Sequence, residues 1–338
     1  MIGSLLHRVL GRAAAPGWLA IELDSRTVRL VHVRRDQARP VVEFAEKRPW
    51  DPTEPKSLEP IAREFGVHRF SCLTLLKPAE YQILFVEAPE VKREEMKPAL
   101  RWRIKDMLDY PADEAALDLL ELPLAGNAAQ RTRQMYAIAA RNETVRAIVE
   151  RFAKAGIALA VVDIPDTAQR NVAALFESEE RAVAALTFDQ DGGLITVTFE
   201  GELYLTRRLD ITAEQVLDSV GKYRPPADDS LVLEDDEGRG QLFERVLVEM
   251  QRSLDACERT YPFFSVGRVL LGSVPEEAGL LEHLAGNLYV PVEALDPAQV
   301  MRLPKASGAW APAERGQWLK LIGAGLRMEH PPLAGALR

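Results

Sequence analysis

The residues FDQDGGLITVTFEGELYL, Phe188–Leu205, decide the fold of this chain. They contain the strand-like run Leu194–Phe199 and the start of a second run, Glu202–Leu209. The pair Glu200-Gly201 between these runs suits the tight turn of a β-hairpin. A third run, Val183–Phe188, comes first and ends at the acidic, glycine-containing turn DQDGG. This order predicts a meander of three antiparallel strands.

The opening of the chain repeats this order. Both meanders are followed by a predicted helix, and both copies then continue into further strand–helix units. The first copy has predicted strands over Trp18–Leu23, Val28–Arg34 and Pro40–Glu46 and a helix over Lys56–Phe65, and the helix of the second copy begins at Thr212. Two copies of a βββαβα unit predict an α/β protein with two similar lobes, the layout of the actin-like ATPase fold.

Further strands and helices follow from the same patterns. The predicted strands are Phe70–Leu76, Tyr81–Glu87, Leu117–Leu122, Gln134–Ala139, Ile157–Asp163, Arg268–Leu271 and Tyr289–Pro291. The predicted helices are Val91–Leu108, Glu143–Ala155, Pro165–Phe176, Leu242–Tyr261, Glu276–Ala285 and Glu314–Arg327.

Composition excludes several classes of function. The 338 residues carry a net charge of −9 and no basic stripe that would neutralise nucleic-acid phosphates, so we expect no nucleic-acid partner. The two cysteines, Cys72 and Cys257, lie far apart and indicate neither a disulfide framework nor a metal site, which fits a reducing compartment. No run approaches the roughly 20 apolar residues that span a bilayer. No P-loop, zinc or common hydrolase motif occurs.

Three segments carry patterned charge. Residues 1–17 predict a basic amphipathic helix or tail, which either packs on the body or lies on an anionic membrane or a partner. The acidic stretch 224–240 predicts a disordered loop on the second lobe. The helix Val91–Leu108 places an apolar stripe opposite many basic residues, with Trp102 off the stripe. Its basic face is either solvated or directed at acidic lipid head groups or an acidic partner.

Four segments together carry a family resemblance. They are WLAIELDSRTVRLVHV, LRWRIKDMLDYPADEAALDLLELP, LTFDQDGGLITVTFEGELYLTRRLDI, and FERVLVEMQRSLDACERTYP with the later VLLGSVPEEAGLLEHLAGNLYVPVEALDP. In order and spacing, and with the terminal WLKLIGAGLR, they resemble the PilM-like proteins of type IV pilus assembly. The resemblance is closer to the MshI branch, from pili of the mannose-sensitive haemagglutinin (MSHA) type. It covers about residues 18–327.

The resemblance implies a domain layout and a cellular place. It implies a ribonuclease H-like, actin-like fold with a first lobe at 18–180, an extra subdomain inserted at about 70–140, and a second lobe at 181–330. It also implies a cytoplasmic scaffold at the inner face of the inner membrane. The expected partner is the short N-terminal tail of a bitopic PilN- or MshJ-like membrane protein, through which the chain contacts the membrane. The pilus assembly ATPase is a further candidate partner.

Family members that bind ATP hold its phosphates on two hairpin turns, where a carboxylate holds hydrated Mg²⁺ and glycine admits the phosphates. The first turn matches Glu22-Leu23-Asp24-Ser25, so Asp24 replaces glycine. The second, counted back from the hairpin, matches Thr187-Phe188-Asp189-Gln190, so Asp189 replaces glycine and no carboxylate stands at Thr187. Gly192 and Gly193 could restore a loop only in a shifted register. Where the family has a glycine pair beside adenosine, this chain has Gly272-Ser273.

These losses favour turns that only hold the lobes together. ATP with Mg²⁺ in an altered pose and a metal held by Asp24 and Asp189 are the alternatives. We therefore expect a non-catalytic adaptor without a cofactor, with an ATP-binding switch or weak ATPase as the second hypothesis. The partner's tail needs exposed strand edges and apolar pockets, and the family's groove position points to Tyr81, Phe85, Leu120 and Tyr136.

Overall fold

The computed structural model describes residues 15–35, 39–54, 56–123, 133–178, 180–221, 234–274 and 279–328. The strands are β1 Trp18–Leu23, β2 Thr27–Arg34, β3 Val41–Pro49, β4 Ser71–Leu75, β5 Tyr81–Glu87, β6 Ala115–Glu121, β7 Gln134–Arg141, β8 Leu159–Asp163, β9 Arg181–Asp189, β10 Gly192–Phe199, β11 Glu202–Leu209, β12 Ser265–Gly272 and β13 Val292–Ala294. The helices are α1 Leu58–Glu64, α2 Met96–Ile104, α3 Asn142–Lys154, α4 Pro165–Ala173, α5 Ala213–Gly221, α6 Glu234–Thr260, α7 Leu280–Asn287 and α8 Arg315–Gly325.

Two five-stranded sheets have the same topology. The first has the order β3-β2-β1-β4-β8 and the second β11-β10-β9-β12-β13. In the first sheet, β1 pairs antiparallel with β2 and parallel with β4. In the second sheet, β9 pairs antiparallel with β10 and parallel with β12. Parallel pairing requires a crossover, and helices supply it in both halves. The predicted duplication of a βββαβα unit is confirmed.

A third, antiparallel sheet has the order β5-β7-β6, and its strands all come from the first half of the chain. Its two faces are covered differently. Helix α2 covers one face through Met96, Leu100 and Ile104. The other face contributes Leu120 and Tyr136 to the core of the second sheet. This small sheet is therefore held between α2 and the second half of the chain.

Helices α4 and α8 pack on each other between the two large sheets. Helix α8 lies against β1 and β2 of the first sheet and β9 of the second. It can approach both because its glycines carry no side chain. A Cβ on Gly316 would lie 2.1 Å from the Phe188 carbonyl oxygen, and one on Gly325 would lie 2.5 Å from Val33 Cγ2. On α4, the Gln169 amide donates to the carbonyl oxygens of Ala185 and Leu194.

Some predicted boundaries were wrong. Helix α6 begins at Glu234, so the last part of the acidic stretch 224–240 is helical rather than a loop, and residues 224–233 lie outside the described residues. Helix α2 begins only at Met96, after a 3₁₀ turn, and Pro98 stands in its first turn, where the missing N–H is not needed. The strand predicted at Tyr289–Pro291 lies later, as β13. Residues 1–14 of the predicted N-terminal helix lie outside the described residues.

Candidate functional site

The two turns that match the phosphate turns face each other across the cleft between the large sheets. The first follows β1, where the Asp24 carboxylate accepts a hydrogen bond from the backbone N–H of Ser25 at 2.7 Å. The second follows β9, where the Asp189 carboxylate accepts from the backbone N–H of Asp191 at 2.7 Å. The two aspartates at the positions matched to glycine therefore cap their own turns.

Lys320 of α8 places its ammonium between the two turns. Its Nζ lies 2.8 Å from an Asp189 oxygen, 3.3 Å from an Asp191 oxygen and 3.6 Å from a Glu22 oxygen. Because α8 packs against both sheets, the lysine side chain reaches carboxylates of both turns and is only 9% exposed. The arrangement fixes one cation between carboxylates of both turns.

A second cation, Arg29 of β2, extends the cluster along the first turn. One guanidinium nitrogen lies 3.1 Å from Glu22 and 3.7 Å from Asp24, and the other lies 2.9 Å from Glu314. Glu314 also accepts a hydrogen bond from Lys47 of β3. The Arg29 side chain is 4% exposed, so these ion pairs are shielded from solvent on the arginine side.

The charges of this cluster are paired with each other. The cations are Arg29, Lys47 and Lys320, and the carboxylates are those of Glu22, Asp24, Asp189, Asp191 and Glu314. Further charged side chains line the cavities beside the cluster, namely Lys77, Glu80, Arg151 and Arg208. A triphosphate would have to compete with the carboxylates for the three cations of the cluster.

Burial and pairing shift the proton affinities of these groups. Burial raises the pKa of Glu22, although Lys320 and Arg29 act in the opposite direction. Burial alone would lower the pKa of Lys320, but the carboxylates of Asp189, Glu22 and Asp191 outweigh it and raise that pKa, which keeps the ammonium charged. For Glu314, burial would raise the pKa, but the hydrogen bonds from Lys47 and Arg29 lower it.

The space left in the cleft is small. A cavity on the first-lobe side, lined by Glu22, Thr74 and Lys320, has a volume of about 110 Å³. One on the second-lobe side, lined by Thr187, Asp189 and Lys320, has about 20 Å³. Pockets for drug-sized ligands and cofactors occupy about 300–1,000 Å³. Neither cavity has room for a triphosphate beside the Lys320 ammonium.

Gly192 and Gly193 begin β10, directly after the second turn. Gly192 pairs with Asp189 at the start of β10. It has φ of 124°, and a Cβ there would lie 2.6 Å from the Leu209 carbonyl oxygen, so the strand itself requires glycine. A Cβ on Gly193 would press on the Phe188 ring at 3.0 Å. The packing of the strand therefore accounts for both glycines.

Gly272 ends β12, and Ser273 follows it beside a more open space. A cavity of about 490 Å³ is lined there by Ser273, Leu271, Asp296 and Trp310, among others. Ser273 has φ of 71°, a conformation that suits glycine, and its buried Oγ has no hydrogen-bond partner among the described residues. This part of the cleft is the one that stays large enough for a small ligand.

A larger cavity lies elsewhere. It has a volume of about 1010 Å³ and runs between the end of β11, helix α6 and His283. Two of its charged side chains pair with each other, since Glu249 lies 3.0 Å from Arg252. The walls carry both signs of charge and indicate no class of ligand.

The residues named for a peptide groove have different environments. Phe85 is 42% exposed and packs its ring against Tyr136 at 5.3 Å. Leu120 is half-buried against the second-lobe core. Tyr136 is buried and donates its hydroxyl hydrogen to the Tyr204 carbonyl oxygen at 2.9 Å. Tyr81 is buried as well. Only Phe85 of the four has a strongly exposed side chain, and the peptide groove stays a prediction.

Tyr81 belongs to a buried cluster that joins three elements. Its hydroxyl donates to the carboxylate of Asp166 on α4 and accepts from Arg208 of β11. Arg208 also lies 3.0 Å from Asp166, which is fully buried, and Thr206 donates to the same carboxylate. This cluster attaches the small sheet to α4 and to the second large sheet.

Sequence reasoning named Glu22, Asp24 and Asp189 and missed Asp191, Glu314 and the cations of the cleft. Lys320 lies far in sequence from the turns that it contacts, whereas Arg29 is close in sequence to the first turn and stands opposite Glu22 on β2. One signal for Lys320 was available, because WLKLIGAGL places a single lysine in an otherwise apolar helix with glycines. A buried lysine at such a position requires carboxylates nearby.

Comparisons with known proteins bear on the fold. No protein-family model and no curated protein matches the chain. The chain is similar to a solved structure described as a PilM-PilN type IV pilus biogenesis complex, with 20% identity, a TM-score of 0.60 and coverage of 94% of this chain and 98% of that chain.

Weaker similarities exist to two further structures. One is the cytoplasmic domain of EpsL, an inner-membrane component of the type II secretion system of Vibrio cholerae (11% identity, TM-score 0.42, coverage 90% and 94%). The other is a protein of unknown function with an actin-like ATPase fold from Bacteroides thetaiotaomicron (10%, 0.43, 84% and 94%).

The first match extends over nearly the whole length of both chains and agrees with the duplicated sheets. The chain has the actin-like fold, as predicted. Among the described residues, no helix has both the length and the apolar character that a membrane crossing requires.

Proposed function

We propose that this chain is a scaffold of a type IV pilus assembly platform that binds a membrane protein and does not turn over nucleotide. The observation that carries the proposal is the match over 94% of the chain to the structure of a PilM-PilN pilus biogenesis complex. The resemblance of the four sequence segments supports the same function. The ion-paired cleft supports the second half of the proposal.

The proposed partner is the short cytoplasmic N-terminal tail of a bitopic PilN- or MshJ-like protein. The chain would then work in the cytoplasm at the inner face of the inner membrane, reaching the membrane through its partner and relaying force from the assembly ATPase. The finer assignment to MSHA-type pili rests on the sequence segments alone.

Titration of the full chain with a synthetic peptide of the partner's tail tests this function. We expect saturable binding in the micromolar range, about −8 kcal/mol, with the same affinity in the presence and absence of Mg-ATP. A peptide of the same composition in scrambled order is the matched control. Equal or absent binding of both peptides would overturn the scaffold assignment.

An ATP-binding switch is the second candidate, and one observation favours it. The cavity of about 490 Å³ beside Ser273 is large enough for a nucleoside. A nucleotide bound there would have to displace the Lys320 ammonium from three carboxylates before its phosphates could reach the turns. Direct measurement of ATP binding separates the two candidates.

A further inference from the structure

Asp166 of α4 is a buried carboxylate on which three side chains from two other elements converge. Its side chain is 1% exposed. One carboxylate oxygen accepts from the Tyr81 hydroxyl and lies 3.0 Å from an Arg208 nitrogen, and the other accepts from the Thr206 hydroxyl. Tyr81 begins β5 of the small sheet, whereas Thr206 and Arg208 lie on β11 of the second large sheet. We call these four residues the Asp166 junction.

Tyr81 is the member of the junction that the small sheet contributes. Its hydroxyl donates to Asp166 and accepts from Arg208. The guanidinium carbon of Arg208 also lies 5.6 Å from the centre of the tyrosine ring. Burial and the charge of Asp166 both raise the pKa of Tyr81, so the hydroxyl keeps the proton that it donates. The first residue of β5 is therefore held both at its hydroxyl and over its ring.

Apolar side chains also join the small sheet to the second half of the chain. Leu120 of β6 packs against the core of the second sheet, and Leu122, which follows β6, is buried in that core. Contacts of this kind favour burial but have no preferred direction. Direction comes from hydrogen bonds, which the junction supplies at Tyr81 and the Tyr136 hydroxyl supplies at the Tyr204 carbonyl oxygen.

A buried ion pair is a weak source of stability, because removing both charges from water offsets much of their attraction. Apolar side chains of similar size often give equal or greater stability. What a buried pair adds is selection of one arrangement, since other arrangements leave a buried polar group short of a partner. If the small sheet turned away, Asp166 would keep Arg208 but lose the Tyr81 hydroxyl, at a position that solvent does not reach.

We propose that the Asp166 junction sets the orientation of the small sheet against the second large sheet, with Tyr81, Asp166 and Arg208 as positioning residues. Without the junction, the small sheet stays attached through its apolar contacts but samples several orientations. A further consequence rests on the proposed function. The partner's tail would then bind more weakly, because the residues expected to line its groove lie on the small sheet and only one orientation presents them correctly.

Distances between two spin labels on the full chain measure this orientation directly. Met107→Cys places one label just after α2, which packs on the small sheet, and Arg259→Cys places the other near the end of α6. Both positions are exposed. Burial raises the pKa of the native Cys72 and Cys257 thiols to about 12, so these residues do not compete for the label.

Tyr81→Phe is the decisive variant, because it keeps the ring and removes the hydroxyl from the junction. We expect a narrow distance distribution with the native junction and one about twofold broader after Tyr81→Phe. Tyr261→Phe, which removes a buried hydroxyl without a hydrogen-bond partner among the described residues, should leave the distribution narrow. A second label pair, Lys154→Cys on α3 with Arg259→Cys, should not change in either variant. A distribution that stays narrow in Tyr81→Phe would overturn the proposal.

An apolar replacement of the junction separates orientation from stability. It combines Tyr81→Phe, Asp166→Leu, Thr206→Val and Arg208→Met. We expect a denaturation midpoint close to that of the native chain, a broad label distribution, and an affinity for the tail peptide lower by about fivefold. A midpoint far below the native one with a narrow distribution would show that the junction acts on stability alone. If the native chain does not bind the tail peptide, the proposed function fails, and the distance distributions still decide whether the junction orients the sheet.

Discussion

At the scale of single residues, the cleft is governed by how charges are compensated after they leave water. Burying a lysine lowers the stability of the fold unless carboxylates surround it, and burying the same carboxylates without the lysine lowers it as well. Lys320, Glu22 and Asp189 satisfy each other across the cleft. The cluster therefore joins the turns, and a phosphate would have to compete with these carboxylates for the Lys320 ammonium.

The part of this site that lies within the meanders was predictable, including Arg29, which stands opposite Glu22 on the neighbouring strand, and the part that α8 contributes was not. Asp24 and Asp189 stand at positions fixed by the two meanders, so comparing the turns was enough to find them. Lys320 reaches the turns only because α8 packs between the sheets, and that packing depends on contacts far apart in sequence. No local sequence pattern indicates a contact between residues so far apart in the chain.

Lys320→Met should destabilise the chain strongly. The substitution keeps the length and apolar stem of the side chain but leaves Glu22, Asp189 and Asp191 without their shared cation. We expect a loss of about 3–5 kcal/mol in the free energy of unfolding, measured by denaturant titration. Lys154→Met, at an exposed position of α3, is the control. A loss equal to that of the control would show that the cleft cluster is not a stabilising element.

Glu314→Gln should lower the thermal stability of the chain by an amount that depends on pH. The pKa of Glu314 is lowered from its ordinary value of 4.5, so the charged form contributes stability above that value and loses it as pH falls. The difference in thermal midpoint between native chain and variant should be larger at pH 7 than at about pH 3. A difference that stays constant over this range would contradict the assigned ion pairs with Arg29 and Lys47.

At the scale of secondary-structure elements, α8 is the part that connects the two halves. Its glycines let it approach the Phe188 carbonyl on one side and β2 on the other. The meanders themselves were predictable, because alternating apolar residues and tight turns are local signals. The helical start of α6 at Glu234 was not, since its acidic sequence has the composition of a loop.

Gly316→Ala should loosen the contact of α8 with the second turn. The new Cβ would lie 2.1 Å from the Phe188 carbonyl oxygen, so the helix has to move. We expect a loss of about 1–3 kcal/mol in unfolding free energy. Gly286→Ala on α7, where a Cβ meets nothing within 4 Å, should be neutral or slightly stabilising. Equal effects of the two substitutions would argue against close packing of α8.

Tyr136→Phe should weaken the attachment of the small sheet. The substitution removes the hydroxyl that donates to the Tyr204 carbonyl and leaves that oxygen without this partner. We expect a loss of about 0.5–1.5 kcal/mol in the free energy of unfolding, measured by denaturant titration. Tyr289→Phe, at a residue 57% exposed, should change stability much less. If both variants unfold like the native chain, the hydroxyl contact does not hold the sheet.

At the scale of the whole molecule, the chain keeps an actin-like architecture while its own side chains fill the space between the turns. Two sheets of the same order, a small third sheet and a central helix pair account for its shape. The ion pairs of Lys320 join the turns of both sheets across the cleft. A cleft filled in this way agrees with the proposed scaffold, which acts through its outer surfaces.

The most direct test of this account is an equilibrium titration of the native chain with Mg-ATP, followed by the partner-tail peptide on the same sample. We expect no saturable ATP binding up to about 1 mM, which corresponds to a binding free energy weaker than about −4 kcal/mol. Peptide binding afterwards would show that the sample was competent. A micromolar dissociation constant for Mg-ATP would contradict the closed cleft, because the nucleotide would then have displaced Lys320 from its carboxylates.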